Sequence, residues 1–297
     1  MPLAMNQQRQ QEYFNLIQSL LNCRSHDEIL KTLEASQELV DFGFLQTLEA
    51  KGAMFSQQGD ENKANWCQRF GMQLRETLNL DTTLNLESLS KEKIQAYLQF
   101  LIEVLQATKE SNGDRQVVYP LLANNTDKLD EALAVILHRW GINTLRNAEA
   151  DVAESLAAVI GIFSSLIEQF PLGNKISNME VAISGYEVAL TVYTQQAFPE
   201  AWAATQNNLA TVYSKRIKGD RAENLERAIS CYQKALEVYS LEEFPQNCAT
   251  TQNNLAMAYS NRIRGDIAEN LEWAISCYQN ALKVYTFKSF PQDWAGT

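Results

Sequence analysis

Beyond Asn178, apolar and small residues return every three or four positions, the spacing of one face of an α-helix. Leu209, Ala210 and Tyr213 mark one such face, and Ala228, Ile229, Tyr232, Ala235, Leu236 and Tyr239 mark the next. Between them, Ile217-Lys218-Gly219-Asp220 interrupts the pattern. Gly219 suits a left-handed helix stop, and Asp220 with Glu223 has the spacing of a capping box; Asn224 is a rival cap. Phe244-Pro245 then breaks the second face, as Phe198-Pro199 and Phe290-Pro291 do, because proline ends one helix and suits the first position of another. Two helices per unit are predicted. The units themselves repeat nearly verbatim with a period of ~46 residues, which signals a stacked array. Each unit can bury its apolar face only against its neighbours, so the expected fold is all-α, an α-α superhelix of solenoid type whose useful surface is a groove.

The array is expected over 148–297, in units of about 148–197, 198–243 and 244–289, with the truncated start of another at 290–297. The first unit is degenerate. Gly173 sits one period before Gly219, Ala182, Tyr186 and Ala189 match the second helix, and Phe163, Ser164 and Ile167 stand where Leu209, Ala210 and Tyr213 stand later. Upstream, periodicity predicts helices over Gln7–Cys23, Asp27–Leu39, Phe42–Gln58, Glu61–Leu78, Lys91–Ser111 and Asp127–Asn147. These divide into a helical region at 1–78, a possible linker at 79–90 and a second helical region at 91–147; the polar 79–90 stretch reads equally as an ordinary interhelix loop.

Composition narrows the function. Only 12 Gly and 6 Pro fit long helices with short turns. A formal charge of −11 opposes non-specific attraction to nucleic acid or to an anionic bilayer. That charge is uneven: from Pro199 on there are 10 basic and 11 acidic side chains, so the array is close to neutral. The five cysteines lack paired metal-ligand spacing, and Cys231 and Cys277 recur at one register, as packing residues would. The amino terminus has no apolar signal core, and every apolar run is interrupted by polar residues, so a cytoplasmic protein without a membrane span is expected.

The repeated residues resemble the tetratricopeptide repeat. Leu209, Ala210, Tyr213, Ala228, Tyr232 and Ala235 supply its consensus set, and Leu255, Ala256, Tyr259, Ala274, Tyr278 and Ala281 supply it again. Against that family's ~34-residue unit, the extra length falls in the turn between Tyr213 and Ala228 and in the junction between Ala235 and Leu255. In the amino-terminal region Gly52, Phe55, Ala64 and Gly71 fall at similar offsets across a Gly59-Asp60 turn. More widely, the run from Thr251 to Tyr285 is similar to the amino-terminal and repeat region of cyanobacterial-type CHAT proteins, in which such repeats precede a caspase-like protease domain. That resemblance implies a recognition or regulatory arm. The chain reads as a fragment, or as one that takes a cap from a partner, since Pro291–Thr297 only begins another first helix.

Candidate chemistry is sparse. Asn208, Thr211 and Lys215 share a helix face, as do Asn254, Met257 and Asn261, opposite the packing side; with Asn207 and Asn253 they are the candidate partner-binding groove. The resemblance implies that Asn208 and Asn254 bond the main chain of an extended ligand, since an amide both donates and accepts. The alternative is that these asparagines tie adjacent repeats together. The lysine of a carboxylate clamp is missing, Ala204 and Thr250 standing there. Lys215, Arg216, Lys218, Arg262 and Arg264 form a basic ridge, either for an acidic partner or paired locally with Asp220, Glu223, Asp266 and Glu269. His26 and His138 are far apart, with no catalytic dyad, metal site, phosphate loop or cofactor in view. The expectation is a non-enzymatic scaffold that binds a protein or peptide partner, the alternative being self-assembly through its open carboxy-terminal repeat.

Overall fold

A computed structural model describes the chain apart from Met1, Arg24, Gln37, Glu38, Asp41 and residues 78–88. Some helical residues of the amino-terminal segment are described by backbone alone. Fourteen α-helices and no strand occur among the described residues. The chain forms two compact units, Met1–Thr83 and Leu84–Thr297. Most of the linker expected at 79–90 lies outside the described residues.

The first unit holds α1 (Pro2–Asn22), α2 (His26–Ala35), α3 (Phe42–Gln57) and α4 (Glu61–Thr77). Leu16, Ile17, Leu20, Phe44, Leu45 and Leu48 form its core with Cys67. α3 and α4 make a hairpin turned at Gly59, whose φ is +79°, and Asp60 accepts the Lys63 amide.

The second unit begins with α5 (Lys91–Glu110), capped by Ser90, followed by α6 (Arg115–Ala123), a short 3-10 turn at Thr126–Lys128 and α7 (Glu131–Asn147). The hydrophobic pattern missed α6. It is only nine residues long, contains Pro120 and follows Asn112 and Gly113, both at positive φ, so it reads as loop. The helix expected from Asp127 starts later because Asp130 is its cap: the carboxylate accepts the Ala132 and Leu133 amides and also the Tyr97 hydroxyl at 2.6 Å.

Three helical hairpins follow: α8 (Ala150–Gln169) with α9 (Lys175–Ala189), α10 (Pro199–Lys215) with α11 (Arg221–Leu236), and α12 (Pro245–Ser260) with α13 (Ile267–Ala281); α14 (Pro291–Gly296) ends the chain. Fully buried Ala210, Ala228 and Ala235, and Ala256, Ala274 and Ala281, let the helices cross closely. In the first hairpin Gly185 serves that purpose, since a Cβ there would collide with the Ser164 hydroxyl. One expectation about membranes is corrected. α8 is long and apolar enough, by length and composition, to cross a bilayer; Ser, Gly and Ala break its apolar run without making it polar. Its apolarity serves the core, where Ala157, Ile160, Phe163 and Ile167 are fully buried.

The turns within the last two hairpins are built the same way. Asp220 and Asp266 cap α11 and α13 by accepting the Glu223 and Glu269 amides, so the aspartates, not Asn224, are the caps. Asn224 instead spans the turn, donating to Lys218 O while its oxygen accepts from Arg216; Asn270, Arg264 and Arg262 repeat this. Gly219 and Gly265 sit at φ +79° and +83°, where a side chain would strain the backbone. The junctions between hairpins are aromatic: Tyr193–Phe198, Tyr239–Phe244 and Tyr285–Phe290 pack at ring-centroid distances of 5.6, 5.6 and 5.7 Å.

A guanidinium fork joins consecutive hairpins. Arg216 donates from Nε and Nη2 to both Glu180 oxygens at 2.8 and 2.7 Å, and Arg262 does the same to Glu226 at 2.8 Å each. The first pair is buried, both side chains being 8% exposed, while the second is 28% and 24% exposed. Removing a buried partner strands the other charge. Arg216→Ala is therefore expected to cost roughly 3–5 kcal/mol, and Arg262→Ala about 1 kcal/mol. Chemical denaturation of the full chain followed by helical circular dichroism checks the ordering; equal losses would refute it.

Candidate protein-interaction surface

The first helices α8, α10 and α12 adjoin one another along the stack, and beyond their own hairpins α10 and α12 each pack chiefly on the second helix of the preceding hairpin. Their outward residues define the candidate site. Asn208 and Met257 are exposed and Asn254 is half-buried, and the asparagine amides have no intramolecular partner among the described residues. The other sequence-predicted residues are committed elsewhere. Asn207 accepts from Thr251 Oγ1 of the next first helix at 3.1 Å, which is the inter-repeat role that was the alternative for it. Thr211 donates to Asn207 O and lies 3.1 Å from the Tyr232 hydroxyl within its own hairpin. Asn261 donates to Met257 O, and Asn253 is half-buried with its side-chain oxygen unpaired.

The basic ridge is dispersed into ion pairs that reach back along the stack. Lys215 bonds Glu168 at 3.2 Å, Lys218 bonds Glu131 at 2.9 Å and Arg264 bonds Glu223 at 3.1 Å, alongside the two forks. None of these bonds goes to Asp220 or Asp266, which cap α11 and α13. Sequence spacing favoured Asp220, Glu223, Asp266 and Glu269; of these Glu223 is bonded, by Arg264, and the remaining partners lie on earlier helices.

A cleft of about 470 Å³ lies between α5 and α8. Leu105 and Val159 are buried in it, Ile102 and Val152 stand exposed at its rim, Trp140 of α7 contributes to the wall, and Lys109 and Asp151 are its charged groups. Its residues come from the part of the chain without a verbatim repeat, so no periodic signal marked them.

Two cysteines at one register of the repeats are buried. Burial pushes the Cys231 and Cys277 thiols up to about 11, away from the reactive thiolate. Burial, with Arg139 adding to it, lowers the pKa of His138 and keeps the ring neutral. Among the described residues no three of His, Cys, Asp and Glu are grouped to hold a metal ion.

Residues 202–245 and 248–284 match the tetratricopeptide repeat family. The match spans α10 to α13, the helices with the paired Ala–Tyr registers, and supports a tetratricopeptide repeat protein. No curated protein matches the chain. Tetratricopeptide repeats typically form non-catalytic scaffolds that bind protein partners.

The Glu226 carboxyl is held below its ordinary value of 4.5, chiefly by the hydrogen bonds from Arg262 and further by the charges of Arg262 and Arg264, against opposing desolvation. A depressed carboxyl contributes stability above its unfolded pKa and loses it as pH falls through the folded value. Wild type is thus expected to exceed Glu226→Gln in denaturation midpoint at neutral pH, with the gap closing as pH drops below about 4.5. A gap independent of pH would remove Glu226 from the ledger of acid-sensitive groups.

Proposed function

We propose that the first-helix face of α8, α10 and α12 binds an extended segment of a protein partner, with Asn208 and Asn254 bonding its main chain. The observation that carries this reading is the contrast between these two amides, one period apart and free of intramolecular bonds, and neighbours such as Asn207 and Thr211 that are tied into the stack. An amide presented this way can pair with both the carbonyl and the N–H of a passing strand. The cleft between α5 and α8 offers room for apolar side chains of the same partner, in an environment typical of ligand pockets. The near-neutral charge of the repeats fits recognition of backbone and apolar groups over a highly charged tail. By the resemblance of Thr251 to Tyr285, we further propose that the array is the recognition arm of a larger caspase-like CHAT protein.

The test is capture of cellular proteins by the chain and by its Asn208→Ala, Asn254→Ala double variant, quantified side by side. Loss of two hydrogen bonds is worth about 1–3 kcal/mol, so specific prey should fall roughly tenfold or more. The melting temperature should move by only about 2 °C, since neither amide supports the fold. Undiminished capture by the folded variant would reject the groove.

A further inference from the structure

The cleft between α5 and α8 is charged at its two ends and apolar between them. Gly113, just past α5, lies against Ile162 and Leu166 of α8, and every cleft residue of either helix precedes that contact, so the two helices run side by side in the same direction. Lys109, about one turn before Gly113, therefore stands at the Val159 end of the cleft. Asp151, in the first turn of α8, stands at the other end, about 12 Å away at 1.5 Å of rise per residue. Both charged side chains are exposed, and neither makes a hydrogen bond or ion pair among the described residues. Gln106, by contrast, is tied to Glu110 at 2.9 Å. The Ser155 hydroxyl and the Trp140 N–H are also unbonded among the described residues. Between the charges Leu105 and Val159 are buried, while Ile102 and Val152 remain 51% and 53% exposed.

We infer that the cleft selects a stretch of the partner in the register acidic-apolar-x-apolar-basic, read in either chain direction. This inference rests on the proposed binding of an extended partner segment and names the chemistry that the cleft admits. Length sets the register: an extended chain advances about 3.3 Å per residue, so four steps carry the two charges about 13 Å apart, which matches the ends of the cleft. The two apolar residues share one face of the extended chain and enter beside Leu105 and Val159, covering Ile102 and Val152. The acidic residue meets Lys109 and the basic one meets Asp151, while the Ser155 hydroxyl and the Trp140 N–H are available to the main chain. Charge complementarity selects against a uniformly acidic or uniformly basic segment, because one of its ends would face a like charge.

The probes are three fluorescent, terminally blocked peptides that share a Leu-Ser-Leu centre and differ only in the residues flanking it: Glu with Lys, Lys with Lys, or Glu with Glu. Each is titrated with the full chain and read by anisotropy at low salt, where exposed charges are least screened. The Glu/Lys peptide is expected to bind wild type at least about fivefold more tightly than either of the others. Lys109→Glu should move the preference to the Lys/Lys peptide, and Asp151→Lys to the Glu/Glu peptide; both are exposed positions, so the fold is kept. Ile102→Asn with Val152→Asn, at the exposed rim, should weaken all three. No saturable binding of the Glu/Lys peptide, or preferences unmoved by the two charge variants, overturns the proposal. Decanoate is titrated in parallel by calorimetry: if it binds, is lost in the rim variant, and no peptide binds, the cleft belongs to a free amphiphile and the proposal falls. The Asn208→Ala, Asn254→Ala variant is expected to bind the Glu/Lys peptide unchanged. Cellular capture that survives the asparagine changes would thus reject the groove, and peptide preferences that survive the charge changes would reject this inference.

Discussion

A repeat array has no common centre, so whatever aligns one hairpin on the next decides the geometry of the whole stack. Here that role falls to a planar guanidinium reaching from the end of one hairpin's first helix to a carboxylate on the preceding second helix. Apolar contact between Ala, Leu and Tyr faces supplies attraction without direction. The two-pronged bond of Arg216 to Glu180, and of Arg262 to Glu226, supplies the direction. The same arginines also donate to the side-chain oxygens of Asn224 and Asn270, so the interhelix turn and the interface between hairpins are fastened by one group.

That economy explains which surfaces remain for function. Asn207 and Thr211 on the first helices are tied into the stack, while Asn208 and Asn254 keep side-chain amides without an intramolecular bond among the described residues. Asn208 stands one position after Asn207, whose oxygen accepts the Thr251 hydroxyl of the adjacent repeat. A single-residue step along a helix rotates a side chain by about a quarter-turn or more, enough to separate a structural asparagine from a displayed one.

The two-helix unit was legible because its period is written nearly verbatim from Asn178 onward and because Gly219, Asp220 and Pro199 punctuate it. Asn208 and Asn254 were legible as an outward face by the same spacing. What spacing could not reveal was pairing across hairpins: Arg216 and Glu180 are 36 residues apart, while Asp220 and Glu223 stand nearby in sequence. α6 escaped because proline and two left-handed residues look like a loop until Asp114 is seen to cap it. The cleft beside Trp140 escaped because it is assembled from three helices with no periodic relation.

The first hairpin shows what happens where the fork is missing. Phe170 stands at the register of Arg216 and Arg262, packed on Tyr119 of α6, and the side-chain oxygen of Asn178 is left buried without a donor. That boundary is shaped to α6 and α7, whereas the two forked boundaries share one register of arginine on glutamate. A hairpin inserted downstream of α9 would present the same arginine and glutamate positions at both of its ends, so the array can lengthen there with the fork preserved.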